Sequence, residues 1–126
     1  MATLVIGAGL SGLTTALMLK KAEEDVSVIS CGLGALALSD GMLGVYDSPT
    51  PLQAIQQLPS SHPYSRLSEQ AITSGIDAFT SYIPLEGSLE HAVLLPTALG
   101  SLRRASFYPA SYAAGICETE HLSKQR

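Results

Sequence analysis

The first thirty residues leave this chain few ways to fold. Thr3-Leu4-Val5-Ile6 is a short apolar run, Gly7-Ala8-Gly9-Leu10-Ser11-Gly12 sets three glycines at fixed offsets, a helical pattern continues to Lys21, and Val26-Ser27-Val28-Ile29-Ser30 is again strand-like. The order is strand, tight turn, helix, strand, which is the context that gives a G-x-G-x-x-G its meaning. Each glycine has a separate task. Gly7 turns the chain sharply off the first strand, Gly9 lets a phosphate approach the main chain, and Gly12 lets the helix lie close on the sheet. With the helix starting at about Leu10, its unpaired N–H groups and the positive end of its dipole point at whatever anion the turn holds. The stretch reads as a cradle for a nucleotide or flavin phosphate, with Gly7, Ala8, Gly9, Leu10, Ser11 and Gly12 as its candidate contacts.

The same residues must be weighed as a membrane helix or a signal peptide, because nothing between Ala2 and Leu19 is charged. The flanks oppose both. A signal peptide carries its positive charge before the apolar core, whereas Lys20 and Lys21 follow it, and no small-residue cleavage site is in view. Three glycines would also weaken a helix centre by about 1 kcal/mol each relative to alanine, while a strand-to-helix turn requires them.

Composition narrows the function classes. Only 14% of the 126 residues are charged against 46% apolar, which is few charges for a free-standing domain and implies faces covered by further chain or by partners. A net charge of -4 without a basic cluster argues against nucleic acid as a partner. Cys31 and Cys117 belong to no C-x-x-C and read as reduced cytosolic thiols, too few for a four-thiolate cluster. His62, His91 and His121 lack metal-ligand spacing, so no metal site is expected.

The residue ending the second strand bears on which cofactor fits. Dinucleotide-binding units place an Asp or Glu about twenty residues past the glycines to hold the adenosine ribose. Here that place falls on Ser30, a neutral acceptor weaker by roughly 1 kcal/mol. NAD and the adenylate half of FAD are disfavoured, and the phosphate role of the turn is untouched. The low-charge stretch Gly32 to Gly44, with Ser39, Asp40 and Gly41, either lies against a flavin ring or ribityl chain or is a flexible loop with a short buried helix. Asp40, its one carboxylate, reads as a cap rather than a proton carrier.

Further on, Thr50 as N-cap, Pro51 and Gln53 form a Thr-x-x-Gln capping box that opens a helix stopped by Pro59. His62 before Pro63 is extended and more fitted to fixing a loop by one hydrogen bond than to acting as a base. A longer helix is predicted from about Arg66 to Ile83, with Ile72, Ile76, Phe79 and Ile83 as its core stripe. Leu89 to Leu95 and Leu99 to Tyr108 form an antiparallel hairpin across Pro96 to Gly100. Arg103 and Arg104 then face opposite ways, a solvated edge being their commoner fate than an anion pocket. After Pro109 the pattern fades into a polar tail, with no room for a third parallel strand. The predicted organisation is a βαβ flavin- or nucleotide-binding unit over 1–46, a helical segment over 47–84, and a hairpin with truncated tail over 85–126, together one incomplete domain.

Four motifs carry a family resemblance: Val5-Ile6-Gly7-Ala8-Gly9-Leu10-Ser11-Gly12-Leu13, Ser39-Asp40-Gly41-Met42-Leu43, His62-Pro63-Tyr64-Ser65-Arg66-Leu67 and Pro96-Thr97-Ala98-Leu99-Gly100-Ser101-Leu102-Arg103. In this order the chain resembles the N-terminal part of the B subunit of anaerobic glycerol-3-phosphate dehydrogenase, a flavoprotein family. The resemblance implies an α/β fold, an incomplete N-terminal Rossmann-type βαβ unit followed by helices and a β-hairpin, and covers well under half of the family's usual length. It implies FMN as cofactor, with FAD the alternative; Ser30, at the end of the second strand, and Ser39 and Gly41, in the low-charge stretch, complete the candidate cofactor contacts. It implies a catalytic flavoprotein subunit and a membrane-bound iron–sulfur subunit as partners, and a cytoplasmic site, peripheral at the inner membrane through those partners. The small phosphorylated substrate would be sn-glycerol 3-phosphate, oxidised to dihydroxyacetone phosphate with electrons passed to quinone under anaerobic conditions. No residue is identified as the catalytic base. An FAD-dependent oxidoreductase of another substrate class and a cofactor-free truncated fragment are the alternatives.

Overall fold

A computed structural model describes residues 2–117. It contains two compact units, one ending at Asp40 and the other beginning at Gly41, and the architecture is mixed α/β.

In the first unit, β1 (Ala2–Ile6) runs parallel to β2 (Asp25–Ile29), with Thr3 beside Val26, Val5 beside Val28 and Ile6 beside Ile29. Between them α1 (Leu10–Lys21) makes the crossover, so the boundaries agree with the sequence reading to within a residue and the unbroken apolar helix is ruled out. Along β1, half-buried Thr3 and Val5 alternate with exposed Leu4 and Ile6, the period of two expected of a strand covered on one side. Leu4, Ile6 and Ile29 therefore leave an apolar face open, which is where part of the low charge content resides; parallel sheets ordinarily have both faces covered. Leu10, Leu13, Ala16, Leu17 and Leu19 recur at helical spacing and would give one broad apolar face, but the face that is covered is narrower. Ala16 is buried, while Leu10 and Leu17 are each about 40% exposed, because two strands about 5 Å apart offer too narrow a floor for a full helix face.

The end of α1 holds a feature the sequence does not advertise. Glu24 N–H donates to Leu19 O at 3.0 Å and Glu23 N–H to Lys20 O at 3.1 Å, the paired bonds of a Schellman cap. Glu23 takes the left-handed conformation, φ 61°, that glycine usually fills. Lys20 and Lys21 occupy the last turn, where the dipole favours cations.

In the second unit, α2 (Pro51–Gln56) and α3 (Glu69–Thr80) precede four short strands: β3 (Glu86–Gly87), β4 (Val93–Pro96), β5 (Leu102–Ala105) and β6 (Phe107–Tyr108). The predicted hairpin is present as β4 and β5, with Leu95 beside Arg103 and Pro96 beside Leu102. β6 continues the β5 line past Ser106 and pairs instead with β3. At that crossing Ser106 is 1% exposed, and its Oγ accepts from Val45 N–H at 3.3 Å, so the buried hydroxyl is satisfied. One core cluster joins Val45, Ile55, Ile72, Leu89 and Phe107. A second joins Met42, Leu95, Ala105 and Tyr108.

Three sequence expectations need correction here. The helix predicted from Arg66 begins at Glu69, because Leu67 is extended (φ -106°, ψ 139°) and Ser68 is the N-cap, its Oγ accepting from Ala71 N–H at 3.1 Å. Its stripe holds at Ile72 and Ile76, while Ile83 lies beyond the helix and is exposed. Conversely Thr50 stands at the N-cap of α2 without a side-chain hydrogen bond, so the Thr-x-x-Gln box does not close. These two positions predict contrasting results in urea denaturation: Ser68→Ala costs about 1 kcal/mol, and Thr50→Ala less than about 0.5 kcal/mol. The strand predicted from Leu89 starts at Val93, and Leu89 is buried outside it. The polar tail from Glu118, with His121, lies outside the described residues.

Candidate functional site

The strand-to-helix turn is where the first unit can meet a ligand. Gly7 has φ 107°, a conformation that a side chain would strain, and its N–H donates to Ile29 O at 2.8 Å, extending the β1–β2 pairing by one bond. That amide is therefore engaged by the sheet. Gly12 has no room for even a methyl group: an added Cβ would lie 2.1 Å from Gly7 O and 3.5 Å from Val5 Cγ1. The third glycine thus lets the first turn of α1 sit directly on the main chain of the turn. Gly9 differs from both. It is extended, φ -79° and ψ 179°, and a Cβ there would meet nothing within 4 Å, so its glycine character is not demanded by the protein's own packing.

The helix start is chemically suited to an anion. The first α1 bond runs from Leu13 N–H to Gly9 O at 3.0 Å, leaving the amides of Leu10, Ser11 and Gly12 ahead of the intrahelical ladder. No acidic residue occupies the first turn, and no side chain caps it. Open space at Gly9 beside uncapped amides at the positive end of a twelve-residue helix fits the phosphate of a nucleotide or flavin.

The remaining candidate contacts have other surroundings. Ser30 Oγ donates to Gly32 O at 2.6 Å and accepts from Gly32 N–H at 3.3 Å, so its hydroxyl proton closes its own loop. Ser39 follows a 3-10 turn over Ala35–Leu38, and its N–H donates to Leu36 O at 3.1 Å. That turn is the short helix anticipated between Gly32 and Gly44, yet it buries no residue, and Leu38 is 91% exposed. Gly41 belongs to the second unit, where φ is 83° and an added Cβ would press on Pro109 Cγ at 2.9 Å. Its lack of a side chain thus has a packing cause of its own.

His62 fixes a loop. Its Nδ1 accepts from Tyr64 N–H at 3.2 Å, which requires the proton on Nε2, and its ring stacks on Tyr64 with centroids 5.5 Å apart. Tyr64 in turn donates its hydroxyl to Val45 O at 3.0 Å. A cavity of about 220 Å³ lies in this unit, lined by Leu52, Ile55, Tyr64 and Leu67 with Gln56 and Glu69, below the roughly 300 Å³ at which small-molecule pockets begin. Arg103 and Arg104 alternate as predicted: Arg103 is exposed, and Arg104 Nε lies 3.5 Å from Asp47 Oδ1. Cys31 and Cys117 are free thiols. Among the described residues no His, Cys, Asp or Glu group is placed to hold a metal ion, and no helix is long and apolar enough to cross a membrane.

Comparison with known proteins gives the family. The family described as FAD binding domain matches residues 2–73. The chain belongs to that family. Among curated proteins it is 32% identical to a probable B subunit of anaerobic glycerol-3-phosphate dehydrogenase from Halobacterium salinarum, over 93% of this chain and 30% of that protein. It is 29% identical to the B subunit of anaerobic glycerol-3-phosphate dehydrogenase from Haemophilus ducreyi, over 93% and 30%. A protein of the same name from Pectobacterium carotovorum is 30% identical over 83% and 29%. The resemblance read from the four motifs is met by these relatives, and the chain spans about 30% of their length. No solved structure matches.

What sequence reasoning missed is Gly34. It has φ 70°, and an added Cβ would lie 2.4 Å from Ala8 O. The signal was present as Gly32-Leu33-Gly34, but its partner is more than twenty positions away and no local pattern names it.

Proposed function

We propose that this chain is the flavin-binding portion of a glycerol-3-phosphate dehydrogenase subunit, in an enzyme that oxidises sn-glycerol 3-phosphate to dihydroxyacetone phosphate and passes electrons to quinone under anaerobic conditions. The observation that carries the reading is the turn itself: space at Gly9 where a side chain would stand, next to the uncapped amides of Leu10, Ser11 and Gly12. The relatives' names supply the substrate class. When bound, the flavin accepts the hydride lost from C2 of the alcohol. The residues of this chain bind and orient the cofactor phosphate; none of them is assigned a proton-transfer role.

The first choice of flavin is FMN. Ser30 stands where a carboxylate would grip an adenosine ribose, and its hydroxyl proton goes to Gly32 O, whereas FMN has no such ribose to hold. FAD is the second reading, favoured by the family description. A catalytic flavoprotein subunit and a membrane-bound iron–sulfur subunit are the proposed partners, and through the latter a cytoplasmic protein would sit at the inner membrane.

The test is spectroscopic. Purified protein, as isolated or after incubation with flavin, is expected to show the visible flavin bands and to release FMN on denaturation. Release of FAD would select the second reading. Protein that stays colourless with both flavins would remove the proposal.

A further inference from the structure

The loop that follows β2 bears on the glycine turn. At Gly34 an added Cβ would stand 2.4 Å from Ala8 O, 2.9 Å from Ala8 C and 3.1 Å from Gly9 N, so it would collide with the peptide joining Ala8 to Gly9. All three atoms are main chain, and none can step aside unless the turn itself moves. The φ of 70° at Gly34 adds a second reason for glycine. At the near end, Ser30 Oγ binds both the carbonyl and the amide of Gly32, at 2.6 and 3.3 Å. The segment from Ser30 to Gly34 is thus a short strap, braced at one end by the serine hydroxyl and resting at the other on the peptide that orients the Gly9 amide.

We infer that Gly34 is a positioning residue for the cofactor phosphate: by bringing bare main chain against Ala8–Gly9 it holds the turn in the shape that presents its amides to the anion. This rests on the reading of the turn as a flavin-phosphate cradle and deepens it. The phosphate site then depends on four glycines drawn from two turns, of which Gly34 touches no ligand and acts through Ala8 and Gly9.

Three variants of the full chain test this. Gly34→Ala introduces both the collision and the strain. Gly34→Asn repeats both with a larger side chain, since at φ 70° and ψ 174° the backbone lies outside the left-handed well that asparagine tolerates. Gly32→Ala changes the same loop where a Cβ meets nothing within 4 Å. FMN and FAD affinities are measured by quenching of flavin fluorescence, and amide hydrogen exchange is followed along residues 2–34 without flavin. Both Gly34 variants are expected to bind flavin about tenfold more weakly or worse, the fold-change of one lost amide-to-anion bond. Gly32→Ala is expected to stay within about twofold of the parent. Exchange should accelerate at Gly7 and Leu13, whose amides bond Ile29 O and Gly9 O to hold the turn, and remain protected at Val5 and Ile29 within the β1–β2 pairing.

Parental affinity in either Gly34 variant would overturn the inference, because the added side chain would then leave the Ala8–Gly9 peptide undisturbed. Exchange that accelerates equally across β1, α1 and β2 would also overturn it, because Gly34 would then support the whole unit rather than the turn. If the parent protein binds no flavin, the cradle reading fails, and the localised exchange pattern still decides whether Gly34 shapes the turn.

Discussion

Gly12→Ala is expected to abolish flavin binding and to destabilise the first unit, whereas Gly9→Ala leaves that unit folded and weakens binding alone. The difference follows from what each added methyl would meet. At residue 12 it stands 2.1 Å from Gly7 O, with Gly7 C at 3.1 Å, so α1 must lift off the turn or Gly7 must give up its bond to Ile29 O. Overpacking against movable side chains already costs about 1–3 kcal/mol, and a collision with main chain belongs at or above the top of that range. Binding is lost with the geometry, because the amides ahead of Leu13 no longer converge on one point. At residue 9 the backbone is extended and the new methyl has nothing within 4 Å, so stability changes by less than about 0.5 kcal/mol. The methyl occupies the approach to the main chain, and loss of one or two charge-assisted bonds weakens binding about tenfold to a hundredfold. The checks are thermal unfolding followed by far-UV circular dichroism and a flavin titration for each variant. Parental stability in Gly12→Ala would mean that the turn is looser than described. Parental affinity in folded Gly9→Ala would remove the phosphate from this turn.

The pair also marks where sequence reasoning works. The order β1, glycine turn, α1, β2 was legible because every signal in it is local: two apolar runs, three glycines at fixed offsets and a helical repeat between them. The turn residues Gly7 to Gly12 were legible for the same reason. The hidden parts depend on contacts between distant residues. Gly34 sits in a run of glycines, and only folding reveals that one of them lies against Ala8. Thr50 was legible as a cap and Ser68 was not, yet only Ser68 aims its oxygen at an amide, since Thr50 has ψ 77° rather than the extended value near 150° seen at Ser68. Strands β3 and β6 have two residues each, too short for an alternation to register. Ser106 reads as part of one extended run and proves to be the point where that run changes partners. His62 was legible as a loop-fixing residue because Pro63 restricts its backbone before any tertiary contact is considered.

Leu95→Ala carries the largest expected loss of stability in the second unit. Leu95 lies on β4, is 2% exposed, and packs in one cluster with Met42, Ala105 and Tyr108, with Val93, Tyr112 and Ile116 at its margin. Removing its branched end deletes contacts on all sides. The neighbours are held by the β4–β5 pairing, by the Leu94–Cys117 bridge and by the 3-10 turn over Ala110–Gly115, so they can close only part of the cavity. Leucine-to-alanine changes in such sites cost about 2–5 kcal/mol, a large fraction of the roughly 5–15 kcal/mol that holds an ordinary domain together. Leu99→Ala provides the contrast: it is the same chemical change in the same hairpin, at a side chain 95% exposed, and should cost less than about 0.5 kcal/mol. The measurement has a built-in reporter, since Tyr46, Tyr64, Tyr82, Tyr108 and Tyr112 all fall after Asp40 and the chain has no tryptophan. Tyrosine fluorescence therefore follows the second unit in urea denaturation. A midpoint lowered sharply by Leu95→Ala and unmoved by Leu99→Ala would locate the core of that unit on the buried side of the hairpin. Equal shifts for the two leucines would mean that the hairpin does not pack as described, because burial is the one property that separates them.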